Sequence, residues 1–551
     1  MMMAQGDETI TITQVNKEND KSSISLRRFL FLFVENLLLT GILLCISVRI
    51  IARGYVNAFH ISPDGTHYLR MARQLLHGNG LFIYPDEWFA TWPAGYPVIV
   101  AIMSFITRTE VYLAAMIVAI IIIWSIGISL YRRFGHTAWV YALFMFNVGF
   151  LYIFYFPLSD GVFLLGLILF SFGITDIIVT DEAKKSQYMK LVLAVMMMFL
   201  TRYVGVFALV VIGLLWCFML FTATRSKESK YWQKFRYLTI AGSISLVMVM
   251  SYLLMNYLMA GHMTGMSRSA AYTEYGFDYF KDILVHLGEQ QLLEMSHVFG
   301  VFVTIGGGVI ALLLWLATIT FVIYSFTRKR KLFALRDESV ILPMVFMSIG
   351  IAYLIVMVVM RFTSSFNYVY HRLLFPATML FFIGFVKLLM GNKQIHDFTS
   401  GISGFQPGKT SKGVGLLITK IMAVICFAAF ILAELVIAPI RTTPFGYREM
   451  RDIVTTVYES VPDGATVLWG EDDAGFLRFL RDDVEVVSNM ANIGTTVETL
   501  ELLWEHLSER MVYLFIPRMN MYIEQDMAEN DELYHYFRQF LTHENHYIRI
   551  K

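Results

Sequence analysis

Long apolar runs fill most of the chain, separated by short segments in which basic residues cluster. A helix needs about 20 apolar residues to cross a hydrocarbon core. Runs of that kind are read at 29–50, 110–131, 138–156, 160–180, 187–201, 203–223, 238–259, 298–325, 339–360, 372–390 and 414–440, which predicts about eleven crossings. The stretch 187–223 is divided at Thr201-Arg202-Tyr203, because a charge is costly at mid-bilayer and cheap at an interface. Segment 95–107 is too short to span and predicts a helix dipping into the interface. The pattern changes at Arg441. Beyond it, strands are expected at Ala465 to Trp469, Val484 to Ser488 and Met511 to Ile516, with helix-like stretches at 446–460, 474–481, 495–509 and 530–541. Such alternation predicts a small α/β domain. The predicted architecture is a multi-pass α-helical membrane protein with a C-terminal soluble α/β domain: a tail at 1–28, a membrane region at 29–440 and the soluble domain at 441–551.

Composition supports this reading and narrows the function. Of 551 residues, 57% are hydrophobic and 16% charged, against about 45–50% and about 25% in soluble domains. Lys and Arg total 44 against 43 Asp and Glu, so no global basic field is present to hold nucleic acid. The three cysteines lie within apolar runs and form neither a disulfide framework nor a metal-binding motif. The short basic segments, such as Arg132-Arg133, Lys184-Lys185 and Arg328 to Lys331, fall in alternate loops, on one side of the predicted spans. By the positive-inside rule they face the cytosol. The N-terminus is then cytosolic, and the loops 51–94, 157–159, 260–297 and 361–371, together with the tail from 441, face outward. The expected location is the plasma or inner membrane. About 28 polar residues precede the first apolar run, which reads as a retained anchor rather than a cleaved signal.

Candidate chemistry gathers on the predicted outer side. The first loop contains Ile61-Ser62-Pro63-Asp64-Gly65-Thr66-His67-Tyr68, then an amphipathic stretch with Tyr68, Met71, Ala72, Leu75 and Leu76 on one face. That spacing predicts a helix lying on the membrane surface. Gly78-Asn79-Gly80, Asp86-Glu87-Trp88 and Trp92-Pro93-Ala94-Gly95-Tyr96-Pro97 follow. Asp64 is placed either to cap that helix or to act as a base. Asp160, at the start of a span, suits a helix dipole or a role beside Asp64. Arg202, Arg268, Arg372 and His371 stand at outer ends of spans. There a basic group either snorkels to lipid headgroups or neutralises a bound anion. His60, His67 and His77 match no zinc spacing and read as surface or interfacial residues.

Taken together and in this order, these segments resemble the GT-C superfamily of membrane glycosyltransferases, with the protein O-mannosyltransferase and lipid A aminoarabinose transferase families as the nearest branches. Pro157-Leu158-Ser159-Asp160, Thr201-Arg202-Tyr203, Thr264-Gly265-Met266-Ser267-Arg268 and Tyr370-His371-Arg372-Leu373-Leu374-Phe375-Pro376 carry the likeness in detail. The resemblance implies a polyprenyl-phosphate sugar as donor and a lipid, glycan or protein as acceptor. It further implies Asp64 as the general base of an inverting transfer of a hexosyl or pentosyl group, with Asp160 beside it and Arg202, Arg268, Arg372 and His371 around the donor phosphate. Asp86 and Glu87 resemble the mannosyltransferases' acidic pair and are candidates for acceptor or metal binding. The Trp88-Phe89 context and the single aspartate at 64 depart from those families' double-acid patterns, so a divalent cation is an option rather than a requirement. A transporter or flippase of lipid-linked saccharides is the main alternative and would place broken helices and polar groups near mid-bilayer. A non-catalytic scaffold is the other.

Overall fold

A computed structural model describes residues 36–56, 62–84, 87–182, 184–226, 228–265, 338–363 and 371–391, and four short strands between 466 and 549. Six helical stretches among the described residues are long and apolar enough to cross a membrane: Val111–Phe146, Asp160–Val179, Tyr203–Ser226, Ser229–Ala260, Glu338–Met360 and Arg372–Met390. Leu37–Ala52 and Gly95–Thr107 are shorter apolar helices. The runs at 298–325 and 414–440 lie outside the described residues.

We number the helices used below in chain order: α1 (Leu37–Val56), α2 (Pro63–Leu76), α3 (Gly95–Thr107), α4 (Val111–Phe134), α5 (Ala138–Ala142), α6 (Val148–Tyr155), α7 (Asp160–Val179), α8 (Lys185–Thr201), α9 (Phe207–Ser226), α10 (Ser229–Ala260), α11 (Glu338–Thr363) and α12 (His371–Met390). α7 is the centre of the bundle. Its Phe163, Leu164, Leu167, Ile168 and Phe170 are fully buried, and it packs against α8, α11 and α4. Small residues permit this: a Cβ on Gly161 would collide with the Phe154 ring, and one on Gly166 with Met198. α10, at the edge, turns Leu246, Val247, Met250, Leu254 and Leu258 outward. In a bilayer such a face meets acyl chains at no solvation cost.

The continuous span read at 138–156 is not one helix. After α5 the chain tightens into a 3₁₀ turn at Leu143–Phe146, then restarts as α6. Asn147, fully buried, causes the restart by accepting from the Gly149 amide at 2.8 Å as the cap of α6. An amide side chain that caps a new helix satisfies donors that a straight helix would have used internally. The break foreseen at Thr201-Arg202-Tyr203 is present: α8 ends at Thr201, Arg202 is extended, and a 3₁₀ turn at Tyr203–Val206 leads into α9.

The stripe on α2 faces protein rather than lipid, a correction to the surface-helix reading. Tyr68, Leu69, Met71 and Ala72 are buried, and the helix packs against α3 and α4. Its stripe is wide enough to bury even Arg70, at 1% exposure. The helix ends in the expected turn, where Gly78 and Gly80 adopt φ of +80° and +87°, a conformation that favours glycine. A two-strand hairpin, β1 (Phe82–Tyr84) and β2 (Glu87–Trp88), follows.

In the C-terminal part, β3 (Thr466–Trp469), β4 (Glu485–Ser488) and β5 (Val512–Phe515) fall on the three predicted strands, and β6 (Tyr547–Arg549) adds a fourth. The order is β4-β3-β5-β6, with β3 parallel to both β4 and β5, and β6 antiparallel to β5. Parallel neighbours require crossover connections, and the helix-like stretches proposed for them lie outside the described residues.

Candidate functional site

Four of the charged residues singled out from sequence meet at one end of the bundle. α2 starts with Ser62 as its cap, whose hydroxyl accepts from the Gly65 amide at 3.2 Å, followed by Pro63 in the first turn. Ser62 therefore takes the capping role considered for Asp64. The Asp64 carboxylate, in the first turn, accepts instead from Nη2 of Arg372, near the start of α12. Asp160 is the first residue of α7 and accepts from Nη1 of Arg202, just beyond α8. Its other oxygen lies 3.9 Å from Nε of Arg372. The result is an alternating chain: Asp64, Arg372, Asp160, Arg202. Alternation keeps each charge beside its opposite, which offsets part of the desolvation cost of burial.

The two acids are not equivalent. The Asp160 side chain is 3% exposed and the Asp64 side chain 22%. Arg202 lies with its guanidinium carbon 6.0 Å from the Phe163 ring centre, so its apolar surroundings are aromatic as well as aliphatic.

Tyrosines and backbone fix the positions. Tyr68, one turn after Asp64, shares a 3.0 Å hydrogen bond with Ser159, which leaves that serine hydroxyl off the α7 terminus. Burial, and next the Asp64 carboxylate, push the Tyr68 phenol up to about 12, while Ser159 and the two guanidiniums act the other way. Tyr68 is thus a neutral phenol throughout the physiological range. Tyr353 of α11 donates to the Leu373 carbonyl at 2.8 Å, beside Arg372. A Cβ on Gly95 would strike the Leu200 backbone; only glycine lets the first loop approach α8 so close to Arg202. His67 stacks on Phe89 and Trp92 at 5.4 and 5.3 Å, and Tyr68 meets Trp92 and Tyr96 edge-on. His67 is therefore part of an aromatic wall rather than a surface residue, because the loop folds back over α2. His77 terminates α2 and is exposed.

A second polar hub was not foreseen. Asn256, fully buried in α10, donates to the Tyr203 hydroxyl at 2.9 Å and to the Met263 carbonyl at 3.1 Å, and accepts from the Trp88 indole at 3.3 Å. Tyr203 in turn donates to the Ala90 carbonyl at 2.7 Å, and the Tyr252 hydroxyl accepts from the Ala94 amide at 2.9 Å. These bonds bind the first loop to the residue following Arg202. The signal was an amide inside an apolar run, since a polar group within a span usually faces the protein interior.

Several candidates are not placed. Arg268, Asp86 and His60 lie outside the described residues, although Gly265, three residues before Arg268, packs against the Thr91 backbone so closely that a Cβ would lie 2.7 Å from it. Glu87 belongs to β2 and His371 opens α12, but their side chains lie outside the described set. Among the described residues no three His, Cys, Asp or Glu side chains converge as metal ligands.

No protein-family model matches the chain, and no curated protein does. Among solved structures, the chain is similar to ArnT from Cupriavidus metallidurans in the apo state, at 12% identity over 91% of this chain and 94% of that one, with a TM-score of 0.46. The same enzyme bound to undecaprenyl phosphate matches at 12% identity over the same shares, with a TM-score of 0.47. The archaeal oligosaccharyltransferase AglB from Archaeoglobus fulgidus, in complex with an inhibitory peptide and a dolichol-phosphate, matches at 11% identity over 86% of this chain and 69% of that one, with a TM-score of 0.46.

Proposed function

We propose that this protein is an inverting glycosyltransferase of the membrane, moving a hexosyl or pentosyl group from a polyprenyl-phosphate donor to a lipid, glycan or protein acceptor. The observation that carries the reading is the alternating chain Asp64, Arg372, Asp160, Arg202, assembled from four separate parts of the sequence. A transfer of this kind needs a carboxylate to take a proton and cations to receive a phosphate. Both kinds of group stand within one cluster here.

In this reading the acceptor hydroxyl or amine faces Asp64. Its lone pair forms the new bond at the anomeric carbon while the bond from that carbon to the phosphate oxygen breaks on the opposite face. The bonding electrons stay on the phosphate, where Arg372 and Arg202 offset them, and the acceptor proton ends on Asp64. Asp160 holds the two guanidiniums. Arg268 and His371 complete the phosphate site, and Asp86 and Glu87 contact the acceptor or a divalent ion. The full arrangement we propose has eleven spans, the N-terminal tail 1–28 in the cytosol, and the site and the α/β domain 441–551 on the outer side. Beside the buried Phe89, the half-buried rings of His67 and Trp92 offer flat faces to a sugar ring or a prenyl chain.

The test is transfer from synthetic polyprenyl-phosphate sugars in liposomes. Asp64→Asn is expected to reduce the rate by about 10²–10⁴, the usual worth of a positioned general base. Full turnover by the variant removes Asp64 from that role. The helix interrupted at Leu143–Phe146 favours one second reading, translocation of a lipid-linked saccharide. Movement of a labelled lipid across the bilayer without any transfer would select it.

A further inference from the structure

Asp64 and a donor phosphate need the same guanidinium. Nη2 of Arg372 is bonded to Asp64, and its Nε faces Asp160. Arg372 holds Asp64 through the single oxygen Oδ2, so the carboxylate is tied to the same guanidinium that a phosphate would use. Building on the proposed function, we infer that an incoming lipid phosphate displaces Asp64 from Arg372, so that the base is released only once the donor is in place, while Asp160 remains as the fixed anchor of both arginines.

Three observations carry this inference. The first is the difference in burial. Asp160 is 3% exposed and Asp64 is 22% exposed, and an acid that can regain water gives up its partner at lower cost than one that cannot. The second is geometry. Arg372 hydrogen-bonds Asp64 through Nη2, whereas its Nε lies 3.9 Å from Asp160, an ion-pair separation beyond hydrogen-bond reach, so loss of Asp64 still leaves it beside an opposite charge. A guanidinium carries five N–H groups in a rigid fork, enough to hold a carboxylate on one side and a phosphate on the other. The third is charge. Two acids and two arginines sum to zero, so a phosphate is held by guanidinium N–H groups rather than by a net charge, and displacing Asp64 frees the Nη2 donor that it occupies. Release of the base is thereby coupled to donor binding, because both draw on the same group. Asp160 acts as a positioning residue and Asp64 as the mobile member.

The test is equilibrium binding of farnesyl phosphate, a short soluble polyprenyl phosphate, to the full chain in detergent without acceptor. Farnesol serves as the uncharged control. Removing the competing carboxylate should tighten binding, so Asp64→Asn is expected to bind farnesyl phosphate about tenfold more tightly than wild type, a conversion of about 1.4 kcal/mol. Farnesol binding should not change, and Asp160→Asn should bind farnesyl phosphate more weakly. Equal or weaker phosphate binding by Asp64→Asn overturns the inference. A second measurement uses the wild-type protein and needs no folded variant: carbodiimide labelling of Asp64, read by mass spectrometry. Labelling should rise when farnesyl phosphate is added, whereas a ligand that merely covers the site lowers it or leaves it unchanged, and either result counts against displacement. The two readings separate. An Asp64→Asn variant that keeps full turnover but binds more tightly refutes the base and leaves the competition standing. Lost turnover with unchanged binding does the reverse.

Discussion

Helix α7 carries an acid paired with arginine near each end, and the two ends differ in kind. Near its C-terminus, Asp176 holds Nη1 of Arg133 at 2.5 Å, and Glu338 holds Nε of the same arginine at 3.1 Å. One cation is shared by two carboxylates that are 38% and 41% exposed, and the guanidinium lies 5.4 Å from the Phe172 ring centre. That group joins α4, α7 and α11 and has its one cation shared between two acids. At the other end, Asp160 is buried between two arginines, one of which reaches on to a partly exposed Asp64. Similar residue types thus make a clamp at one end and an adjustable chain at the other. What distinguishes them is the ratio of cations to acids and the burial of the shared partner.

The largest effect should come from breaking the buried anchor. Asp160→Ala strands Arg202 and part of Arg372 in a low-dielectric core, and removal of one partner from a buried pair costs about 3–5 kcal/mol. The expected outcome is a large fall in the thermal unfolding temperature in detergent and complete loss of transfer. A variant of native stability would mean that water reaches Asp160 and that the two ends of α7 are more alike than their burial indicates.

Next in size is the hub that positions the loop opposite the chain. Asn256→Leu removes three hydrogen bonds and leaves the Trp88 indole without its acceptor. An orphaned buried donor costs about 1–3 kcal/mol, and the unfolding temperature should fall accordingly. Transfer should decline through misplacement of the loop, with the donor KM rising more than kcat falls.

Asn256 also marks the limit of what was legible in advance. The sequence-based reading found Asp64, Asp160, Arg202 and Arg372, each announced by a local pattern: an aspartate after a proline, an arginine interrupting an apolar run, a basic residue opening a span. It located the break at Arg202 and the three strands of the C-terminal sheet, because strand alternation and charge interruption are local signals. Pairing was another matter. Asp64 and Arg372 are 308 residues apart, and nothing in either neighbourhood names the other. The restart at Asn147 was missed because the run around it is uniformly apolar and a single amide does not alter its hydropathy. The burial of α2 was missed for a similar reason: an amphipathic stripe reports that one face is apolar, not whether lipid or protein covers it.

A smaller effect is expected at Tyr68. Tyr68→Phe loses one buried hydrogen bond to Ser159, worth about 1 kcal/mol. Its pH dependence follows from the phenol, pushed up to about 12. The folded protein retains that proton in a range where the unfolded chain, with an ordinary tyrosine near 10, has released it. Stability should therefore be constant with respect to this group below about pH 10 and fall between about 10 and about 12. Tyr68→Phe should remove that alkaline contribution and leave the shape of the rate profile near neutrality unchanged. A new limb near neutral pH in the variant would show that the phenol takes part in proton transfer.

The smallest effect belongs to the other end of α7, and it is the one that tests the comparison itself. Asp176→Asn leaves Arg133 with Glu338, close to water, where a partly exposed ion pair contributes at most about 1 kcal/mol. Transfer should keep its wild-type rate, and farnesyl phosphate binding should not change. The expected stability loss is small and should shrink further at high salt, because exposed charges are screened over about 10 Å at 0.1 M. If Asp176→Asn instead reduced transfer as strongly as Asp64→Asn does, the charged pair near the C-terminus of α7 would be coupled to the proposed site through the helix, and burial of the shared acid would no longer distinguish the two ends.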